Sequence, residues 1–203
     1  MPCRRRSSNR YRRIGKTPNL PLPVRFPHTT TERIVEKGDD AAVDERKRVL
    51  DVACGSKMFW FDKHNPDVEY CDNRVVERHE FYPNRYIEIA PDTVCDFTCL
   101  PFEDETYKLV VFDPPHLVNV GKTSWTALKY GALPDDWKET LRKGFAECFR
   151  VLDKDGVLVF KWSEVQVPLR DVLSLAPYPP LFGHRGGKTM NTHWLCFMKP
   201  KAE

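Results

Sequence analysis

The chain has 203 residues, with 32 Lys+Arg against 29 Asp+Glu, a formal net charge of +3 and 41% hydrophobic residues. That length supports one domain with a real core plus a tail, and leaves no room for a second, full recognition domain. It contains no run of ~18 apolar residues and no secretory h-region, so neither a membrane-spanning helix nor a signal peptide is expected.

The charge is unevenly placed. Residues 1–48 hold 13 basic and 6 acidic side chains, which leaves 19 basic and 23 acidic over residues 49–203. Residues 1–28 read as a flexible, basic Arg/Pro-rich arm. Arg4-Arg5-Arg6, Arg10 and Arg12-Arg13 precede Pro18, Pro21, Pro23 and Pro27, whose density favours extended backbone. Residues 29–46 are expected to be a linker or a short helix, and residues 47–203 a single folded domain.

From residue 47 strand-like and helix-like segments alternate. Arg48-Val49-Leu50-Asp51-Val52-Ala53 is an apolar run ending in the turn Cys54-Gly55-Ser56. Val68-Glu69-Tyr70-Cys71 predicts a second strand ending at Asp72, and Leu109-Val110-Val111-Phe112 a third ending at Asp113-Pro114-Pro115-His116. Residues 135–152 carry helical periodicity through Trp137, Leu141, Phe145, Cys148 and Phe149, with Pro134 and Asp135-Asp136 as start signals. Val157-Leu158-Val159-Phe160 predicts a fourth strand, residues 168–176 a short helix stopped by prolines, and Thr192–Met198 a last strand. Strands that are continuous apolar runs point to a parallel sheet covered on both faces, and the alternation to a doubly wound α/β domain.

Seven cysteines, an odd number with no CxxC pair, read as buried reduced thiols of a cytoplasmic protein. Cys71, His79, Cys95 and Cys99 could be drawn as a zinc site, but their spacing matches no zinc pattern, and no metal is expected.

Two motifs carry chemistry. The strand ending in Ala53-Cys54-Gly55-Ser56 brings backbone N–H groups to the carboxyl edge of the sheet, where small residues allow close approach to a ligand. Asp72, 17 residues past Gly55, is placed to accept ribose hydroxyls; a plain strand-turn-helix is the equal alternative. Val110-Val111-Phe112-Asp113-Pro114-Pro115-His116 is more specific. Two prolines stiffen the backbone after Asp113, so that Asp113 and the Pro114 carbonyl form a pair of acceptors for an amino group. His116 beside them supplies a flat ring for stacking on a heterocycle. A tight turn without function is the bland alternative.

Taken together, Asp51-Val52-Ala53-Cys54-Gly55-Ser56-Lys57-Met58-Phe59-Trp60-Phe61, Phe112-Asp113-Pro114-Pro115-His116-Leu117, Phe160-Lys161-Trp162 and Leu181-Phe182-Gly183-His184 resemble class I S-adenosylmethionine-dependent methyltransferases. The similarity is to the amino-methylating Asp/Asn-Pro-Pro-aromatic group, in particular small bacterial and phage-type adenine-specific nucleic-acid methylases. It spans roughly residues 47–200, not the arm.

The resemblance implies a Rossmann-like methyltransferase sheet, mostly parallel with an antiparallel last strand. It implies S-adenosyl-L-methionine as cofactor, with Asp51, Ala53, Cys54 and Gly55 at its methionine end, Asp72 on the ribose, and Asp96 and Phe97 at the adenine. Asp113 and Pro114, stiffened by Pro115, would orient the target amine, and His116 would stack on the target base. The expected reaction is direct in-line transfer to an exocyclic amino group, adenine N6 favoured, in DNA or RNA.

Substrate contacts are expected from a basic-aromatic segment, Lys122, Trp125, Lys129 and Tyr130, and from His184, Arg185 and Lys188 of a basic hairpin, with Lys161 at the cleft edge. Packing is the equal alternative for Trp125 and Tyr130, and a plain turn for the hairpin. With no recognition module, the target is single-stranded or structured nucleic acid, engaged through the arm and basic loops, or reached with a protein partner or a second copy of the chain. The competing expectations are a small-molecule N- or O-methyltransferase and a non-catalytic binder on the same scaffold.

Overall fold

The computed structural model describes residues 47–58, 60–121, 124–186 and 189–200. They fall in the unit Val43–Glu203; the other unit, Met1–Ala42, lies outside them. The expected arm, the linker or helix at 29–46, and the candidate residues Lys122 and Lys188 therefore lie outside the described residues.

In chain order the elements are β1 (Val49–Asp51), β2 (Val68–Asp72), β3 (Val76–Tyr82), β4 (Arg85–Ile89), β5 (Thr93–Val94), β6 (Tyr107–Phe112), α1 (Trp125–Tyr130), α2 (Trp137–Val151), β7 (Leu152–Ser163), α3 (Leu169–Leu173), β8 (Phe182–Gly186) and β9 (Thr192–Met198). Among the described residues seven strands form one sheet in the order β5-β2-β1-β6-β7-β9-β8. The chain winds from β1 outward through β2 to β5, returns to β6 beside β1, and winds the other way. The pairs β1–β2, β1–β6, β2–β5 and β6–β7 are parallel, while β9 runs antiparallel to both β7 and β8. This is the expected Rossmann-like sheet, mostly parallel with its last strand reversed.

The apolar pattern explains the packing. In α2, Leu141, Phe145, Cys148 and Phe149 recur at helical spacing and are buried. They meet one face of the sheet, where Phe112 lies against Phe145 at 5.5 Å between ring centroids and Phe160 lies 4.9 Å from Phe145. Gly144 makes the approach possible. A Cβ there would stand 2.8 Å from both Phe112 Cζ and Phe97 Cδ2. Arg150, near the end of α2, anchors the segment before β6 by donating to Glu147, Asp104 and the carbonyls of Leu100 and Phe102.

The β-α alternation is less regular than the sequence predicts. Among the described residues no helix joins β1 to β2, and the β2–β5 connection is an antiparallel hairpin, β3–β4, rather than a helix. Its composition explains the choice: Val76, Phe81, Tyr82, Tyr86, Ile87 and Ile89 favour strand, and Pro83-Asn84 between them makes the turn, with Asn84 at φ 62°. The segment after Asp113, expected to be a loop, contains the short helix α1. Ser124 caps it by accepting from Ala127 N–H at 3.2 Å. No helix among the described residues is long and apolar enough to cross a membrane.

Candidate active site

The order of strands reverses between β1 and β6, and the carboxyl ends of β1, β2, β5 and β6 open a cleft at that point. A cavity of about 640 Å³ there is lined by Ala53, Asp72, Arg74, Asp96, Phe97 and Asp113, among others. A smaller cavity of about 270 Å³ adjoins it, lined by Cys54, Gly55, Met58, Lys129, Tyr130 and Lys161, and shares Ala53, Arg74, Asp113 and Tyr130 with the first. The two motifs, 58 residues apart from Gly55 to Asp113, therefore meet at one site.

Asp51 is fully buried behind this cleft and does not line it. Its Oδ2 accepts from Trp60 Nε1 at 2.7 Å and its Oδ1 from Ala53 N–H at 3.3 Å, so it shapes the turn that follows. Burial pushes its carboxyl up to about 7, against the pull of those two donors. Gly55 takes φ +49°, which turns its N–H onto Asp72 Oδ2 at 2.9 Å. Cys54 is buried, and burial raises its thiol above the usual range.

Asp72 is engaged from two sides. Besides Gly55, Arg74 donates its backbone N–H and Nε to Oδ1, both at 3.0 Å, and Nη2 to Oδ2 at 3.2 Å. The same guanidinium reaches the Leu128 carbonyl at 3.3 Å and so ties α1 to the end of β2. A ribose on Asp72 has to take the place of this guanidinium. Sequence reasoning passed over Arg74; a cation two residues past the strand-end acid was the available signal.

Asp96 is exposed, and its Oδ1 accepts from Thr98 N–H and Oγ1, both at 2.8 Å. Phe97 packs edge-on against Phe112 at 5.3 Å while keeping an edge in the large cavity. Cys71 is a buried free thiol and Cys95 a half-buried one. Among the described residues no group of three or more His, Cys, Asp or Glu is placed to hold a metal ion.

Register decides the partner of Asp113. Phe112 pairs with Phe160, so the next residues, Asp113 and Lys161, stand side by side on the opposite face from those buried rings. Lys161 Nζ lies 2.5 Å from Asp113 Oδ2 and 5.8 Å from the centroid of the Trp194 ring. Burial raises the Asp113 carboxyl, and the Lys161 cation opposes that rise. Asp113 Oδ1 accepts no hydrogen bond among the described residues. Lys161, expected at the cleft edge to hold substrate, is thus bound to the motif acid itself.

Pro114 is buried, and Pro115 lines the large cavity. Gly131, at φ +74°, lets the end of α1 close onto that ring, since a Cβ there would lie 3.0 Å from Pro115 Cγ. His116 sits between Tyr130, 5.9 Å away, and Trp162, 6.4 Å away, and lines neither cavity. Burial holds its imidazole below the usual range, against the pull of the nearby Asp113 carboxylate. The ring presented to both cavities is that of Tyr130, with Lys129 Nζ 4.7 Å from its centroid. Trp125 stacks on Phe81 of β3. Arg185 donates to Glu164 and to the Met190 carbonyl, and His184 is exposed on β8. Neither lines the cleft, from which β8 is separated by two strands, roughly 14 Å from β6.

No family model matches the chain, and no curated protein matches it. Among solved structures 31 chains match. The PH0226 protein of Pyrococcus horikoshii aligns with 79% of this chain and 84% of its own at 18% identity and a TM-score of 0.48. A TehB-like SAM-dependent methyltransferase of Corynebacterium glutamicum aligns at 15% identity over 76% of this chain and 81% of its own, TM-score 0.45. A SAM-dependent methyltransferase of Leishmania major aligns at 10% identity over 74% and 64%, TM-score 0.44. Likenesses this distant leave the fold to rest on the strand order itself, and they do not reach activity or substrate.

Proposed function

We propose that the chain is an S-adenosyl-L-methionine-dependent methyltransferase that modifies an exocyclic amino group of a nucleobase, adenine N6 favoured, in DNA or RNA. One observation carries this most: Asp113, stiffened by Pro114-Pro115, forms the shared wall of two adjoining cavities at the point where the strand order reverses.

The cofactor fits the larger cavity on charge and size. Asp72, Asp96, Asp113, Asp136 and Glu139 outnumber Arg74 and Lys143 in its lining, which suits a ligand carrying a sulfonium and an ammonium. Its volume of about 640 Å³ lies within the range of small-molecule sites. When bound, S-adenosyl-L-methionine supplies an electrophilic methyl group. Ala53 flanks its methionine end, Gly55 holds Asp72 from the adjoining turn, Asp72 takes the ribose once Arg74 swings aside, and Phe97 meets the adenine.

The target occupies the smaller cavity. A ring amine is a poor nucleophile because its lone pair is delocalised into the ring. Asp113 Oδ1 and the Pro114 carbonyl accept its two N–H groups and draw the nitrogen toward tetrahedral geometry, so the lone pair points along the transfer axis. Lys161 fixes Asp113 through its other oxygen. After transfer the nitrogen sheds a proton to the Asp113 carboxylate and thence to water. Tyr130 is the ring available for stacking on the target.

The acidic lining of the larger cavity favours a second reading, a small-molecule N- or O-methyltransferase, because acidic walls repel phosphates. Methyl transfer from labelled cofactor to DNA, RNA and a metabolite extract separates the two. Label on adenine N6 supports the proposal, and label only in small molecules overturns it. Asp113→Ala is expected to abolish transfer with cofactor affinity retained by calorimetry; joint loss of both contradicts the assigned roles.

A further inference from the structure

Outside the cleft, a cavity of about 610 Å³ lies between the Gly55-Ser56-Lys57 turn and the β3–β4 hairpin. Its cations are Lys57, Lys63 and Arg78, with His64 beside them. Of its two acids, Asp92 is already paired with Lys47 at 2.7 Å, which leaves Glu88 against three cations. Tyr86 stands in its wall, 54% exposed, with the Arg78 guanidinium 4.9 Å from the ring centroid. Lys57 Nζ lies 3.8 Å from the Tyr70 ring, and Lys63 Nζ donates to the Ser56 carbonyl at 3.0 Å.

We propose that this cavity is a phosphate-and-base subsite that holds the single-stranded nucleic acid next to the target nucleotide. The inference rests on the nucleobase reading above and gives it the recognition surface that the cleft lacks. Three placements favour it. Gly55 and Ser56 line both this cavity and the small cavity with Asp113, so one turn of chain separates the basic site from the reactive one. Cations stand on both sides of that turn, Arg74, Lys129 and Lys161 in the small cavity and Lys57, Lys63 and Arg78 in this one, which suits a phosphate backbone passing between them. The hairpin is also fastened to the cleft, because Phe81 stacks on Trp125 of α1, the helix that ends in Lys129 and Tyr130. An exposed ring under an arginine is the arrangement on which unpaired bases stack, whatever their sequence. The β3–β4 hairpin thereby serves as a recognition element inserted between β2 and β5.

The test uses the full chain with labelled single-stranded DNA and RNA 12-mers, read by fluorescence anisotropy between 50 and 300 mM salt. The comparison is between wild type, the double variant Lys63→Gln/Arg78→Gln, and Tyr86→Ala, all at exposed positions. Removing two phosphate contacts is expected to make the slope of log K against log salt shallower by about 1.4, and to weaken low-salt binding about tenfold. Tyr86→Ala is expected to weaken binding about tenfold with the slope unchanged. Cofactor affinity by calorimetry and thermal midpoints should match wild type in both. If wild type binds and methylates the oligonucleotides while the variants share its affinity and slope, the subsite is wrong and the nucleobase reading stands. If wild type methylates only small molecules, the nucleobase reading falls and takes the subsite with it.

Discussion

Replacing Lys161 with Met keeps the length of the side chain and removes its charge. Asp113 is then left with burial, which raises its carboxyl, and without the cation 2.5 Å away that opposes the rise. Unit charges about 4 Å apart at an effective dielectric near 20 interact by about 4 kcal/mol. A neighbouring cation lowers a carboxylate by ~1–3 pKa units in practice. The sign follows directly. The amine needs an ionised Asp113, so losing Lys161 raises the pH below which the acceptor is protonated. The acidic limb of kcat/KM is expected to move up by ~1–3 pH units in Lys161→Met, with activity near pH 6 falling far more than activity near pH 9. Lys161→Arg keeps the charge and should keep the limb near its wild-type position. The assay is methyl transfer from labelled cofactor to an oligonucleotide across pH 5–9, with cofactor saturation checked at each pH. A uniform drop in kcat with the limb unmoved would refute the assignment of Lys161 as the group that keeps Asp113 ionised.

Other consequences are as direct. Gly144→Ala places a Cβ 2.8 Å from Phe112 Cζ and Phe97 Cδ2, an overpacking expected to cost ~1–3 kcal/mol in urea denaturation and to weaken cofactor binding through Phe97. Trp60→Phe removes the donor 2.7 Å from buried Asp51 and is expected to cost ~1–3 kcal/mol. Asp51 titrates near 7 in the folded chain against 3.8 unfolded, so it already draws stability down as pH rises between those values. Loss of the Trp60 donor extends that decline upward; the cost should be larger at pH 8 than at pH 5, and equal costs would contradict it. Arg150→Ala breaks the links to Glu147, Asp104 and two carbonyls, and should lower the thermal midpoint and loosen the segment carrying Asp96 and Phe97, read by hydrogen exchange.

Strands β1, β2, β6, β7 and β9 were legible because each carries a short apolar run, and local pattern is enough for that. Helix α2 was legible because Leu141, Phe145, Cys148 and Phe149 recur at 3.6-residue spacing. The β3–β4 hairpin was missed because its strands mix Glu, Arg and His with aromatics, so no clean alternation marks a buried face. Helix α1 was missed because six residues hold less than two turns and bury no side chain, leaving almost no periodic signal.

At the site the division is similar. Composition and spacing were enough to mark Asp51, Gly55, Asp72 and Asp113 as strand-end residues, since a strand's end is a local property. Which side chains line the cleft is not local. Asp51 turned inward to Trp60, His116 settled between Tyr130 and Trp162, and Trp125 met Phe81 from a hairpin 44 residues earlier. Lys161 met Asp113 because the β6–β7 register set Phe112 against Phe160. The sequence by itself determined strands β1, β2, β6, β7 and β9, helix α2 and the chemical inventory of the cleft, because these depend on neighbours along the chain. Only the tertiary structure decided the pairings, since register and packing bring together residues that share no local pattern, and those pairings set charge, ring placement and the gathering of acids in the larger cavity and cations in the smaller.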